Sequence, residues 1–315
     1  MRECRLCPRN CAVDRESGVR GFCGQTETLK VARAALHYWE EPCISGAAGS
    51  GTVFFSGCAL HCVFCQNRDI ANGTAGREIR AGRLAEIFLE LQEKGANNIN
   101  LVTPGHFVPQ IITALAAAKA QGLVLPVVYN TGSYEKVETL RRLEGLVDIY
   151  LPDFKYMDTA LSAKYSHAPD YSAVAKAAVA EMVRQTGAPV FAGADVAGDE
   201  DPIEAGRLLQ RGTIVRHLLL PGQKEDSKEV LFYLHETYGD LIYISIMNQF
   251  TPLAGLEQYP ELNRRVTEAE YEEVVDYAIE IGIERGFIQE GETAKESFIP
   301  AFDGEGVLLP ERMEK

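Results

Sequence analysis

TVFFSGCALHCVFCQN, residues 52–67, decides the reading of this chain. Its β-branched and aromatic opening, residues 52–55, has the composition of a buried strand. The run breaks at Ser56-Gly57 and gives way to Cys58, Cys62 and Cys65, spaced C-x3-C-x2-C, with Phe64 just before the last thiol. A tight loop of that spacing can aim three thiolates at one centre, but not four. A [4Fe–4S] cluster normally takes four cysteines, so three ligands leave one iron open, and an open position is where chemistry happens. A structural zinc site, the first alternative, normally closes with four ligands, so a lone triplet suits it poorly. Three buried core cysteines are the second alternative.

The spacing resembles the signature of the radical S-adenosylmethionine (radical SAM) superfamily. The wider string FFSGCALHCVFCQN most resembles the pyruvate formate-lyase activating enzyme branch, including the aromatic before the third cysteine and the Gln-Asn pair after it. By that resemblance SAM chelates the open iron through its amino and carboxylate groups. The resemblance also implies the fold: a partial (β/α)6 TIM-type barrel whose cluster loop follows the first strand.

Bulk properties restrict the remaining choices. The chain has 315 residues, enough for one large α/β domain or two ordinary ones. Lys and Arg number 31 against 45 Asp and Glu, a net charge of −14, whereas a nucleic-acid partner calls for a basic face. No segment reaches the ~18 uninterrupted apolar residues of a membrane span. The N-terminal MRECRLCPRNC has no apolar signal core, which leads us to expect a cytoplasmic protein with neither nucleic-acid nor membrane partner. Eight cysteines in such a chain read as metal ligands rather than disulfides.

Four of them form a separate set: Cys4, Cys7, Cys11 and Cys23, spaced C-x2-C-x3-C-x11-C, with Pro8, Gly21 and Gly24 to turn the chain. Four thiolates suit a structural zinc or a fully ligated iron–sulfur cluster, and the ligand set does not choose between them. Residues 1–46 are read as this cysteine-rich extension, 47–290 as the barrel and 291–315 as a tail. Within residues 31–50, His37 and Cys43 read as packing residues and the glycines after them as a flexible turn leading into the first strand.

From residue 52 on, short apolar runs alternate with helical periodicity. Strands are predicted at 52–55, 99–102, 126–129, 148–151, 213–220 and 241–247. Helices are predicted at 81–94, 107–121, 135–144, 171–185, 227–237 and 266–283. Leu84, Ile87, Phe88 and Leu91 fall at i, i+3, i+4 and i+7, one apolar helix face. Strand–helix units in series make a parallel sheet, open or curled into a barrel. Residues 191–206, small and acidic, read as a surface loop.

Ligands of parallel α/β folds sit at the carboxyl ends of the strands. Those ends carry Thr103-Pro104-Gly105-His106, Asn130-Thr131-Gly132, Asp153-Phe154-Lys155, Arg216-His217 and Asn248-Gln249. The resemblance assigns roles to some. Thr103 and Gly105 stand where activating enzymes carry Gly-Gly-Glu for the SAM amino group, a departure from that pattern. Asn130 and Thr131 match an Asp-Thr pair near the SAM carboxylate, and Asp153-x-Lys155 matches a D-x-K motif in the same pocket. Arg216 and His217 lie in a strand-five sequence, RHLLLPG, whose basic side chain approaches SAM, and Phe64 and Asn67 would lie by the adenine. A surface ion pair is the alternative for Asp153 and Lys155.

The resemblance therefore implies an oxidoreductase that cleaves SAM reductively to a 5′-deoxyadenosyl radical, which takes hydrogen from a substrate. It implies an electron donor such as flavodoxin or ferredoxin. A glycyl residue of a partner enzyme, a small molecule and a peptide all stand as substrates. A non-catalytic iron–sulfur or zinc protein that carries electrons or scaffolds a partner is the alternative of another class.

Overall fold

The computed structural model describes residues 2–193, 201–289 and 300–309. Most of the predicted tail, and residues 194–200 of the acidic loop, lie outside the described residues. Among the described residues ten strands form one sheet that does not close: β1 (Leu29–His37), β2 (Ser50–Phe55), β3 (Arg77–Ile79), β4 (Ile99–Val102), β5 (Val127–Thr131), β6 (Ile149–Pro152), β7 (Val190–Phe191), β8 (Leu209–Leu218), β9 (Tyr243–Met247) and β10 (Gly286–Ile288). The helices are α1 (Pro42–Ser45), α2 (Arg68–Ala71), α3 (Ala81–Glu93), α4 (Val108–Ala120), α5 (Val137–Arg141), α6 (Thr159–Ser166), α7 (Tyr171–Thr186), α8 (Lys224–Tyr238) and α9 (Glu268–Glu280).

The main path runs β10-β9-β8-β6-β5-β4-β2-β1-β3. From β2 to β10 every neighbour pair on it is parallel. The six predicted strands are β2, β4, β5, β6, β8 and β9. The architecture is a partial α/β barrel with β2 as its first parallel strand. Three strands of the path extend it beyond the sequence reading. β1 and β3 form an antiparallel border beyond β2, and β10 continues the parallel run beyond β9.

Helices cover the outside because each buries one apolar stripe. Leu84, Ile87, Phe88 and Leu91 of α3 pack with Ile111, Leu115 and Ala118 of α4 against Val53, Ile99, Leu101 and Val127. Val230, Leu231 and Leu234 of α8 and Val274 of α9 do the same for β8 and β9 through Val215, Ile244 and Ile246. Residues of opposite strand parity are left to face the interior.

The interior is filled from an unexpected source. The link between β1 and β2 enters the barrel, and Cys43 and Ile44 of α1 pack with Val128, Ile149 and Tyr243 near the amino ends of β5, β6 and β9 and with Ile214 in the middle of β8. Asn98 Nδ2 donates to the Ile44 carbonyl at 2.8 Å and Asn97 Nδ2 to that of Ser45 at 2.6 Å, which fixes the plug. The glycine turn after it is packed rather than loose. A Cβ on Gly46, at φ 49°, would stand 2.8 Å from both Asn97 and Leu208. The barrel is thus closed at one end and open at the other.

Candidate active site

At the open end a cavity of about 650 Å³ lies over the carboxyl ends of the strands. Cys58, Cys62 and Cys65 line it from the β2–α2 loop. The loop is fixed from several sides. Val63 N–H donates to the Tyr165 carbonyl at 2.9 Å, and Gln66 Nε2 reaches the Gln249 carbonyl after β9 at 2.8 Å. Two of the sulfurs already accept hydrogen bonds, Cys58 from Leu60 N–H at 3.3 Å and Cys62 from Ser166 Oγ at 2.9 Å. Burial pushes the Cys65 thiol up to about 12, and like charge on Cys62 and Cys58 pushes it further the same way. Metal binding requires the thiolate form, and a bound cation supplies the charge that neutralises it.

Opposite the thiols the strands supply an ordered polar layer. Asp153, just past β6, accepts from Lys155 Nζ at 2.7 Å and from Arg216 Nε at 2.9 Å. Arg216 spends its remaining nitrogens on Asn130 Oδ1 at 2.7 Å and Glu40 Oε2 at 3.0 Å. Glu40 also accepts from Asn100 at 2.9 Å and Asn130 at 3.3 Å. Burial alone would raise the Asp153 pKa, but Arg216 and Lys155 hold it below the usual carboxylate range. Burial opposes the charge on Lys155 and Arg216 too, yet Asp153 raises both above their ordinary values. The Asp153–Lys155 pair is therefore a buried element of the cavity wall and not a surface ion pair.

Phe64, Asn67, Thr103, Asn130, Thr131, Asp153, Lys155 and Arg216 all line this cavity. Thr103 does so with φ at 57°, while its N–H donates to the Asn130 carbonyl at 2.9 Å. A β-branched residue in that region stores ~1–3 kcal/mol of backbone strain.

Gly105 and His217 do not line the cavity. Gly105 sits in a single 3-10 turn, where a Cβ would meet the Glu135 carboxylate at 2.5 Å. His217 follows Arg216 on β8 and so points to the outer face. Its Nδ1 is 2.7 Å from the Phe154 carbonyl and its Nε2 2.8 Å from Ser227 Oγ, and burial pushes its pKa down to about 4. His106 is likewise buried, 2.7 Å from the Ser56 carbonyl and pushed down to about 3, which suits a structural role and no proton transfer.

Sequence reasoning missed the connector's share of the site. Trp39, Glu40 and Glu41 line the cavity, and Glu41 Oε2 is buried with no hydrogen-bond partner among the described residues. Burial raises the Glu41 pKa even though Arg216 opposes the rise. The adjacent carboxylates in an otherwise aromatic stretch were the available signal. Also missed was Tyr171, whose hydroxyl shares its one proton between the carbonyls of Asp153 and Gly132, at 2.8 and 3.0 Å, and accepts from Lys155 N–H at 3.0 Å. It fixes two of the strand-end loops from below.

Residues 44–151, with all three loop cysteines, match the family of 4Fe-4S single cluster domains. Over 80% of its length the chain superposes on 70% of a radical SAM methyltransferase from Sphaerobacter thermophilus, with a TM-score of 0.50 and 15% identity. The fold is that of the radical SAM enzymes. At the level of sequence the chain is 28% identical over 287 residues to an uncharacterized protein of Methanocaldococcus jannaschii, covering 88% of this chain and 75% of that one. Among the described residues no helix is long and apolar enough to cross a membrane.

Proposed function

We propose that this protein is a radical SAM enzyme of the activating-enzyme-like branch, an oxidoreductase that binds a [4Fe–4S] cluster on Cys58, Cys62 and Cys65. One observation carries the reading: three thiols, not four, share a single cavity with a buried zwitterionic layer. The donor set fits the cluster, because the loop already supplies N–H···S and O–H···S bonds that favour the thiolate form. Cluster and SAM together supply reductive cleavage of a carbon–sulfur bond and a primary radical that takes hydrogen from a substrate.

The chain's own residues bind and orient. Among the described residues the Lys155 ammonium group donates to one carboxylate, that of Asp153, which leaves N–H groups for the carboxylate of SAM. Thr103 offers an acceptor at a neighbouring strand end for its ammonium group, and Asn130 and Thr131 stand beside the carboxylate. Phe64, packed on Phe250 with centroids 6.2 Å apart, and Asn67 flank the position of the adenine. The strands and the connector plug exclude water from below, which strengthens each of these polar contacts. A one-electron donor of the flavodoxin or ferredoxin type supplies the electron. The substrate is a glycyl residue of a partner protein, in keeping with the branch that residues 52–67 resemble.

Anaerobically reconstituted protein with dithionite and SAM should release 5′-deoxyadenosine, and alanine at Cys58, Cys62 or Cys65 should abolish it. A wild-type chain that holds the iron lost from the Cys58, Cys62 and Cys65 variants and yet forms none, even over hours, refutes the enzymatic reading.

A further inference from the structure

The cysteine loop and the ends of β4 to β6 supply the groups named so far, and they leave one side of the cavity unused. A single register row crosses its floor. Asp153, just past β6, pairs with Arg216 on β8, Arg216 with Ser245 on β9, and Ser245 with Phe287 on β10. Residues paired across parallel strands point to the same face, and all four line the cavity. At one end of the row stands Lys155, bonded to Asp153 at 2.7 Å. At the other end Met247, Phe287 and Ile288 give the wall an apolar surface.

Glu41 stands between these ends. It lines the cavity, is 8% exposed, and has the Arg216 charge and the Ser245 hydroxyl acting on its carboxyl group. Its neighbour Glu40 is saturated, with Arg216, Asn100 and Asn130 as donors. Glu41 is not: among the described residues its Oε2 is buried without a hydrogen-bond partner. Nor is its side chain spent on the helix that follows, because it precedes α1 in the N-cap position and makes no capping bond there. A buried polar atom held open toward a cavity is costly to keep, and a bound partner relieves that cost.

The chemistry of the partner follows from the carboxyl group. A cationic group would pair with the ionised form only, and burial, with the charge on Glu40, opposes that form. A backbone amide suits both forms, because an ionised oxygen accepts from its N–H and a protonated one donates to its carbonyl. A glycyl residue has no side chain to be recognised by, so its backbone groups are what an enzyme can hold.

We propose that Glu41 is the substrate-binding residue that hydrogen-bonds the backbone amide of the glycyl residue, in a subsite walled by Ser245, Met247, Phe287 and Ile288. The proposal rests on the glycyl substrate given above. The apolar part of the wall keeps water from that bond and so strengthens it.

The test is binding of the blocked peptide acetyl-Ala-Gly-Ala-amide, with butylammonium as the cationic comparison. Calorimetry reads it on the full chain, anaerobically reconstituted and saturated with SAM, without reductant so that nothing turns over. Glu41→Leu should weaken the peptide about tenfold or more, and Glu41→Gln, which keeps an acceptor and a donor, should bind it within about threefold of wild type. Equal binding by wild type and Glu41→Leu overturns the proposal and leaves the glycyl reading standing. A wild-type chain that binds SAM but no peptide overturns the glycyl reading, and this proposal with it. Glu41→Gln as weak as Glu41→Leu, or butylammonium bound more tightly than the peptide, also overturns it, since Glu41 then serves a cation. Should Glu41→Leu fail to fold, infrared difference spectra decide. A carboxyl band that shifts when peptide is added to the wild-type chain and is missing from Glu41→Gln supports the proposal, and the lack of such a band overturns it.

Discussion

Replacing Asp153 with asparagine keeps its shape but removes the anion between two buried cations. The flanking groups are shielded: the side chains of Asp153, Lys155 and Arg216 are 18%, 15% and 14% exposed. Arg216 would keep Glu40 at 3.0 Å and Asn130 at 2.7 Å, so the loss falls on the Lys155 ammonium group, whose hydrogen-bond acceptor among the described residues is Asp153. Orphaning a buried charge costs ~3–5 kcal/mol, and Asp153→Asn should lower the unfolding free energy by that amount. Urea unfolding of the anaerobically purified chain at pH 7 measures it. The sign supports that pH. A carboxylate whose pKa is depressed by folding contributes its full stability above the unfolded value of about 3.9 and loses it as pH falls through the folded value. Adding Lys155→Met removes the orphaned cation and should recover at least about half of the loss. A loss under about 1 kcal/mol, or a double variant as unstable as the sum of the singles, refutes the account of a buried, mutually dependent layer.

Two further perturbations read other parts of the structure. His217 is buried neutral with its pKa near 4 against about 6.5 unfolded, so the unfolded state takes up the proton first and stability should fall as pH drops from 6.5 toward 4. At pH 5 the loss is about 2 kcal/mol from this residue, and His217→Asn should flatten the urea midpoint against pH by that share. Gly57 lies at φ 94°, where a Cβ would stand 2.5 Å from the Cys23 carbonyl and from Gln25 Cγ. Gly57→Ala should therefore cost more than about 1 kcal/mol and expose residues before β1 to limited proteolysis, whereas Gly82→Ala, with open space around it, should do neither.

The parallel strands and their helices were legible because each announces itself within a few residues, by an apolar run or a 3.6-residue period. β1 was not. LKVARAALH carries Lys30 and Arg33 among its apolar residues, and its register against β2 shifts between Val31 and Arg33, so no clean alternation survives. β10 has three residues, too few for any period. The same logic divides the site. The cysteine triplet is a local pattern and could be read directly. Glu40 acts through Arg216, 176 positions away, and its meaning exists only after folding. His217 shows the converse error: the strand-end rule selects a pair of neighbours, but successive strand residues face opposite ways, so only Arg216 reaches the cavity.

The segment ahead of the first parallel strand is therefore structural to the site on two sides. Arg9 and Phe22 hold the cysteine loop from outside, and Glu40 completes the polar layer from inside. The layer's charges balance, with Glu40 and Asp153 against Lys155 and Arg216, while burial favours the neutral form of Glu41. A ligand with net charge would upset that balance in a poorly solvated place, at a cost of several kcal/mol. The amino-acid end of SAM is a zwitterion of no net charge. On the reading proposed here it can exchange partners with this layer, its carboxylate taking Lys155 and its ammonium group the strand-end oxygens, without leaving any charge unpaired. An electron carrier with a saturated cluster has no such ligand to accommodate. For a carrier the buried layer would be a cost with no return, and this is the physical ground for preferring an enzyme.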